Sequence, residues 1–140
     1  MSKTRFSQLH ILLAAGDILV LGLVTVYGFA SHNQLDTAGS RMLTTFIPLL
    51  LSWFLVSPHL GVFDLQRAAQ PSQLWRPFWA MILAAPMAVF IRAVMLNTAV
   101  NPIFVVILGG VAALALLAWR FLFLWIVRRK RVSPERVSHG

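Results

Sequence analysis

The chain has 140 residues, 59% hydrophobic and 11% charged, with a formal net charge of +8 and no cysteine. A water-soluble domain carries roughly a quarter of its residues as charged ones, so this chain lacks the polar surface that water requires, and its apolar excess must face lipid. Disulfides, thiolate-bound zinc and iron–sulfur clusters are excluded by composition, and the basic excess, set beside apolar runs, points to membrane topology instead of nucleic acid.

Four apolar runs follow one another: Leu9 to Ala30, Thr44 to Val62, Phe78 to Leu96 and Pro102 to Val127. Each exceeds the roughly 17 residues that a helix needs to cross a hydrocarbon core of about 30 Å. Backbone polar groups cannot stay unpaired in lipid, and the two-residue alternation of a barrel strand is absent, so the runs are expected to be helices. The expected fold is an all-α bundle of four transmembrane helices, about 9–30, 44–62, 78–96 and 102–127. A short N-terminal arm (1–8) precedes it, and a basic, disordered tail (128–140) follows it. The first run is a membrane helix and not a cleaved leader, because it is longer than a signal core and Asp17 interrupts it.

Orientation follows from the basic residues beside the runs. Lys3, Arg5, Arg67, Arg76, Arg128, Arg129, Lys130, Arg131 and Arg136 flank one side, and only Arg41 flanks the other. That asymmetry predicts both termini in the cytoplasm and a multi-pass protein of the inner (cytoplasmic) membrane. Trp75, Trp79 and Trp125 fall at the same level, where indole rings favour the headgroup region. Trp53 lies mid-run, packed inside the bundle or against lipid. The connection 31–43 is polar and external; the connection 97–101 is barely a turn, so the third and fourth runs form an antiparallel pair.

Three ionisable residues lie inside the runs: Asp17, Arg92 and Arg120. On insertion scales each costs on the order of 3 kcal/mol at a helix centre, so each needs a partner, water or an interface. At about 1.5 Å per residue, Asp17 lies roughly 12 Å and Arg120 roughly 10 Å from the cytoplasmic face, and Arg92 about 6 Å from the opposite one. The matched depths predict an ion pair between Asp17 and Arg120, tying the first helix to the fourth. Arg92 is assigned to a polar pocket near the other surface with Ser31, His32 or Asn97. Snorkelling to the headgroups is the alternative for both arginines; Asp17 is too short for it.

Helical spacing puts Arg92 in line with Ala80, Ala84 and Ala88. It puts Arg120 in line with Gly109, Ala113 and Leu116, and Asp17 with Val20, Val24, Gly28 and Ser31. Small residues mark where membrane helices approach closely, so these faces are expected to point inward. His10 and His59 sit near helix ends as interfacial histidines, and no cofactor or metal is expected from them. Phosphate-cradling glycine loops, HExxH, G-x-S-x-G and paired carboxylates are all missing from the sequence. The expectation is therefore a non-enzymatic accessory or interaction protein, a possible homo-oligomer or the companion of a larger membrane partner. The alternative is an oligomeric carrier or binding protein for a small solute, ion or lipid that uses the intramembrane Asp and Arg residues.

The order of several elements resembles a family of small bacterial and archaeal membrane proteins known as domain of unknown function 3054. The matching features are Asp17, Gly28-x-x-Ser31-His32, Thr45-x-x-Pro48, Pro86 with Arg92, Phe104-Val105-Val106 and Trp119-Arg120, across residues 14 to 122. In that family the proline of the second helix is commonly followed by phenylalanine, where this chain has Leu49. The resemblance implies a prokaryotic four-helix membrane protein in which Asp17, His32, Arg92 and Arg120 matter, and it implies no activity.

Overall fold

The structure, a computed structural model, describes residues 3–33, 36 and 39–132, with side-chain surroundings through residue 130. Its long helices are α1 (Lys3–Ser31), α2 (Gly39–Val56), α4 (Trp75–Leu96) and α5 (Pro102–Val132), with a short α3 (Leu65–Ala68) between α2 and α4. Four helical segments, Lys3–Ser31, Gly39–Leu60, Pro71–Leu96 and Pro102–Lys130, are long and apolar enough to span a membrane. This is an all-α membrane protein.

The helices run up, down, up and down around a closed ring. α1 packs between α2 and α5, and α4 packs between the same two on the far side. Small residues permit the closest approaches. Ala80, Ala84 and Ala88 form a fully or nearly fully buried stripe on α4. A Cβ built on Gly109 of α5 would stand 2.9 Å from that of Ala85, too close for any side chain there. Trp53, Leu21, Leu49, Met81 and Leu116 fill the centre, while the opposite faces present Leu19, Leu51, Leu83 and Leu114 outward. Outward leucines in place of charges are what a lipid solvent demands.

Chain reversals are built from local chemistry. Asn97 ends α4 in the left-handed conformation (φ 50°), its N–H reaching the last carbonyls of the helix. Asn101 then caps α5, its Oδ1 accepting from the N–H groups of Ile103 (3.0 Å) and Phe104 (3.4 Å), with Pro102 at the first helical position.

The end of the bundle that carries the termini departs from the sequence expectation. The second membrane helix stops at Val56 and not at Val62, and Ser57–Leu60 tightens into a 3-10 turn around Pro58. Gly61 (φ 67°) then reverses the chain, and Asp64 caps α3 by accepting from the Gln66 N–H at 3.0 Å. Val62 and Leu65 are buried, so the 57–74 segment folds back over the end of the bundle. Arg76 fastens it, donating to the Leu60 carbonyl at 2.7 Å. The expected arm is helical from Lys3, and the first residues of the expected disordered tail, 128–132, continue α5. Arginine and lysine are good helix formers, and the Arg129 guanidinium lies 4.5 Å from the centre of the Trp125 ring one turn earlier. The remainder of the tail, 133–140, lies outside the described residues, as does part of the 31–43 connection.

Candidate functional site

The five residues singled out from the sequence fall into two separate places. The first lies in the half of the bundle nearest the termini. Asp17, fully buried, is the hub. Arg120 grips it with two parallel bonds, Nη2 donating to Oδ2 at 2.7 Å and Nε to Oδ1 at 3.2 Å. Trp53 Nε1 donates to Oδ2 at 3.2 Å from α2. Arg120 Nη1 donates to the Val62 carbonyl at 2.8 Å, and Phe63 lies beneath the guanidinium at 5.8 Å. One carboxylate thus joins α1, α2 and α5 to the 57–74 segment.

Position explains why these partners meet. On α1 the buried stripe is Leu13, Asp17, Leu21 and Thr25, a run of four-residue steps. The expected stripe through Val20, Val24, Gly28 and Ser31 lies one residue to the side, half-buried or exposed. Gly16 lets α1 touch α5, since a methyl at that position would overlap the Trp119 ring. Trp119 brings a further donor, Nε1, toward the carboxylate without closing a hydrogen bond. Arg120 is fully engaged at depth and does not reach the headgroups, so snorkelling is not its solution.

A bidentate arginine, a tryptophan N–H and a backbone carbonyl leave little for a ligand to add. A buried ion pair of this kind holds elements in register, and breaking either half leaves a stranded charge. Toward the other end of the bundle Leu21, Leu49, Ala113 and Leu116 are fully buried, so the interior beyond the pair is packed.

The second place is near the opposite end, where the upper halves of α1 and α5 part. A cavity of about 190 Å³ opens there, and Thr25, Ser31, His32, Thr45, Arg92 and Phe104 are among the residues that line it. Arg92 Nε donates to Thr45 Oγ1 at 3.0 Å, and its guanidinium lies 5.3 Å from the centre of the Phe104 ring. Thr45 is itself oriented by its bond to the Arg41 carbonyl at 3.3 Å. Among the described residues no carboxylate stands within ion-pair distance of Arg92, and its Nη groups meet no protein acceptor. Arg41 adds a second positive charge nearby.

Ser31 and His32 therefore share the cavity with Arg92, although Ser31 Oγ spends its own proton on the Gly28 carbonyl at 2.9 Å. Asn97 does not take part; it is exposed and its backbone ends α4 beyond the cavity. His10 and His59 stay apart from both places, His10 bonded to the Phe6 carbonyl at 3.1 Å and His59 exposed on the 57–60 turn.

Trp53, Thr45 and the Val62 carbonyl were not anticipated as partners. Trp53 had a usable signal: it lies nine residues before Val62, at a depth of about 13 Å, close to that of Asp17. The Val62 carbonyl had none, because it faces Arg120 only once the second helix breaks early.

Residues 14–123 match the family described as a protein of unknown function (DUF3054), and the chain belongs to that family. The match takes in Asp17, Arg92 and Arg120 together with all the residues that line the cavity. No curated protein and no solved structure matches the chain.

Proposed function

We propose that this protein binds the anionic head group of an amphipathic molecule in the Arg92 cavity, and that the Asp17–Arg120 pair braces the bundle behind it. The observation that carries the reading is a membrane-embedded guanidinium, facing a cavity with mostly apolar walls, without a carboxylate among the described residues to neutralise it. An arginine below the headgroups carries part of the insertion cost that reaches about 3 kcal/mol at a helix centre, and an anionic oxygen held by its Nη groups would offset it. Thr45 holds the Arg92 guanidinium in place, and His32 adds a polar side chain to the lining of the same cavity.

The basic residues gathered beside the termini support placing both ends in the cytoplasm, and the family resemblance supports the cytoplasmic membrane of a prokaryotic cell. The cavity then opens in the outer leaflet. The reading is non-enzymatic: binding asks only for charge and shape, which the cavity has.

Native mass spectrometry of the protein purified in mild detergent tests this. The wild type should retain one anionic lipid per chain, and Arg92→Gln, which can still bond Thr45, should lose it while melting at a similar temperature. Equal retention in the variant would refute the reading. A stoichiometric foreign subunit in place of lipid would favour the accessory role instead.

A further inference from the structure

The cavity does not end at its walls. On the lipid-facing side it runs into an open groove of about 450 Å³ between α1 and α5, and Val24, Tyr27 and Val111 line both. The groove is apolar, walled by Val20 and Leu23 on α1 and by Ala115, Ala118 and Leu122 on α5. Its floor is the contact at which Gly16 meets the Trp119 ring, where the two helices touch. Above that contact they separate, and a Cβ built on Gly28 or Gly110 would meet nothing within 4 Å.

Dimensions favour one occupant. From Val111 to Leu122 the groove covers eleven residues of α5, about 16 Å, which is roughly half of a 30 Å hydrocarbon core. That is the depth of one leaflet. A cation at the headgroup end and a methyl-lined channel reaching the bilayer midplane match an anionic glycerolipid or polyprenyl phosphate. A free anion would have no use for the channel. A second protein helix would leave the Arg92 cavity unfilled, because a cylinder about 10 Å wide cannot enter an opening of that volume.

Resting on the reading of the Arg92 cavity given above, we infer that the ligand is a bilayer lipid, with its anionic head on Arg92 and one chain laid along the α1/α5 groove to the Trp119 floor. The small side chains Ala115 and Ala118 set the width of the channel. Larger residues there would exclude the chain and leave the head-group contacts in place. Arg92 then selects lipids by charge, and the groove selects them by having a chain long enough to fill it.

Photo-crosslinking maps the chain directly. The full-length protein is reconstituted in phosphatidylcholine vesicles containing a minor fraction of phosphatidic acid that carries a diazirine midway along one acyl chain. Label should concentrate on the α1 and α5 peptides containing Val20–Val24 and Ala115–Leu122, at about tenfold the level on the lipid-facing sides of α2 and α4, as expected for one charge-assisted contact holding the lipid. Arg92→Gln should return the label to an even spread. Ala118→Trp, which projects from an exposed position and leaves the core alone, should clear it from the groove. An even spread in the wild type, or label insensitive to Ala118→Trp, overturns the groove inference. If lipid retention by mass spectrometry still depends on Arg92 in that case, the cavity reading survives without the groove; if it does not, both fail. Crosslinks between two chains at these positions would show that a second copy fills the groove and would likewise overturn the inference.

Discussion

Replacing Asp17 with asparagine removes the charge that holds Arg120 while keeping nearly the same shape. Three side-chain donors end on this carboxylate: Nε and Nη2 of Arg120 and Nε1 of Trp53. An asparagine amide offers one acceptor oxygen, and its NH2 group faces donors wherever it turns. Arg120 keeps only its neutral bond to the Val62 carbonyl and stands as an uncompensated charge in a dry interior. Removing one half of a buried pair costs about 3 kcal/mol or more, roughly two powers of ten in the folding equilibrium. Adding Arg120→Gln removes the stranded charge, and the double variant should recover about half of the loss. Equilibrium unfolding of the wild type, both single variants and the double variant in detergent measures the coupling. Stability changes that sum to within about 0.5 kcal/mol would refute the brace.

Two further substitutions probe the same junction. Gly16→Ala pushes a methyl into the Trp119 ring and should lower stability by about 1–3 kcal/mol, read as a fall in the melting temperature; an unchanged melt would mean that α1 and α5 do not touch there. Arg120→Lys keeps the charge but not the fork, so an ammonium cannot serve both Asp17 oxygens and the Val62 carbonyl. A loss of about 1–2 kcal/mol is expected in the same unfolding assay, and a lysine variant as stable as wild type would show that geometry is irrelevant to the pair.

What could be read from the sequence was whatever follows from one-dimensional spacing in a known solvent. Lipid fixes helix length and forbids unpaired charge, so the four spans and the matched depths of Asp17 and Arg120 were visible in the order of residues. The face of α1 was harder. Stepping from Asp17 by three and four residues reached Val20, Val24 and Gly28, whereas the buried stripe steps by four to Leu21 and Thr25. Both paths start correctly, and only the neighbouring helices decide between them. Early termination of α2 was legible only in part: Pro58 and Gly61 stand in the sequence and end the helix, but Pro48 and Pro86 lie inside α2 and α4 without ending them. Thr45 was missed as the partner of Arg92 because nothing along the chain aligns residues 45 and 92 until α2 and α4 lie side by side. The cavity itself arises from the divergence of α1 and α5, which is a property of the assembled bundle and not of either segment.

The division of labour between the two buried arginines is most directly tested by native mass spectrometry of wild type, Arg92→Gln and the folded Asp17→Asn/Arg120→Gln double variant side by side. Anionic lipid should remain on the wild type and on the double variant, and be absent from Arg92→Gln. Lipid kept by Arg92→Gln, or lost from the double variant while its helices stay folded, would contradict the assignment of binding to Arg92 and bracing to Asp17 with Arg120.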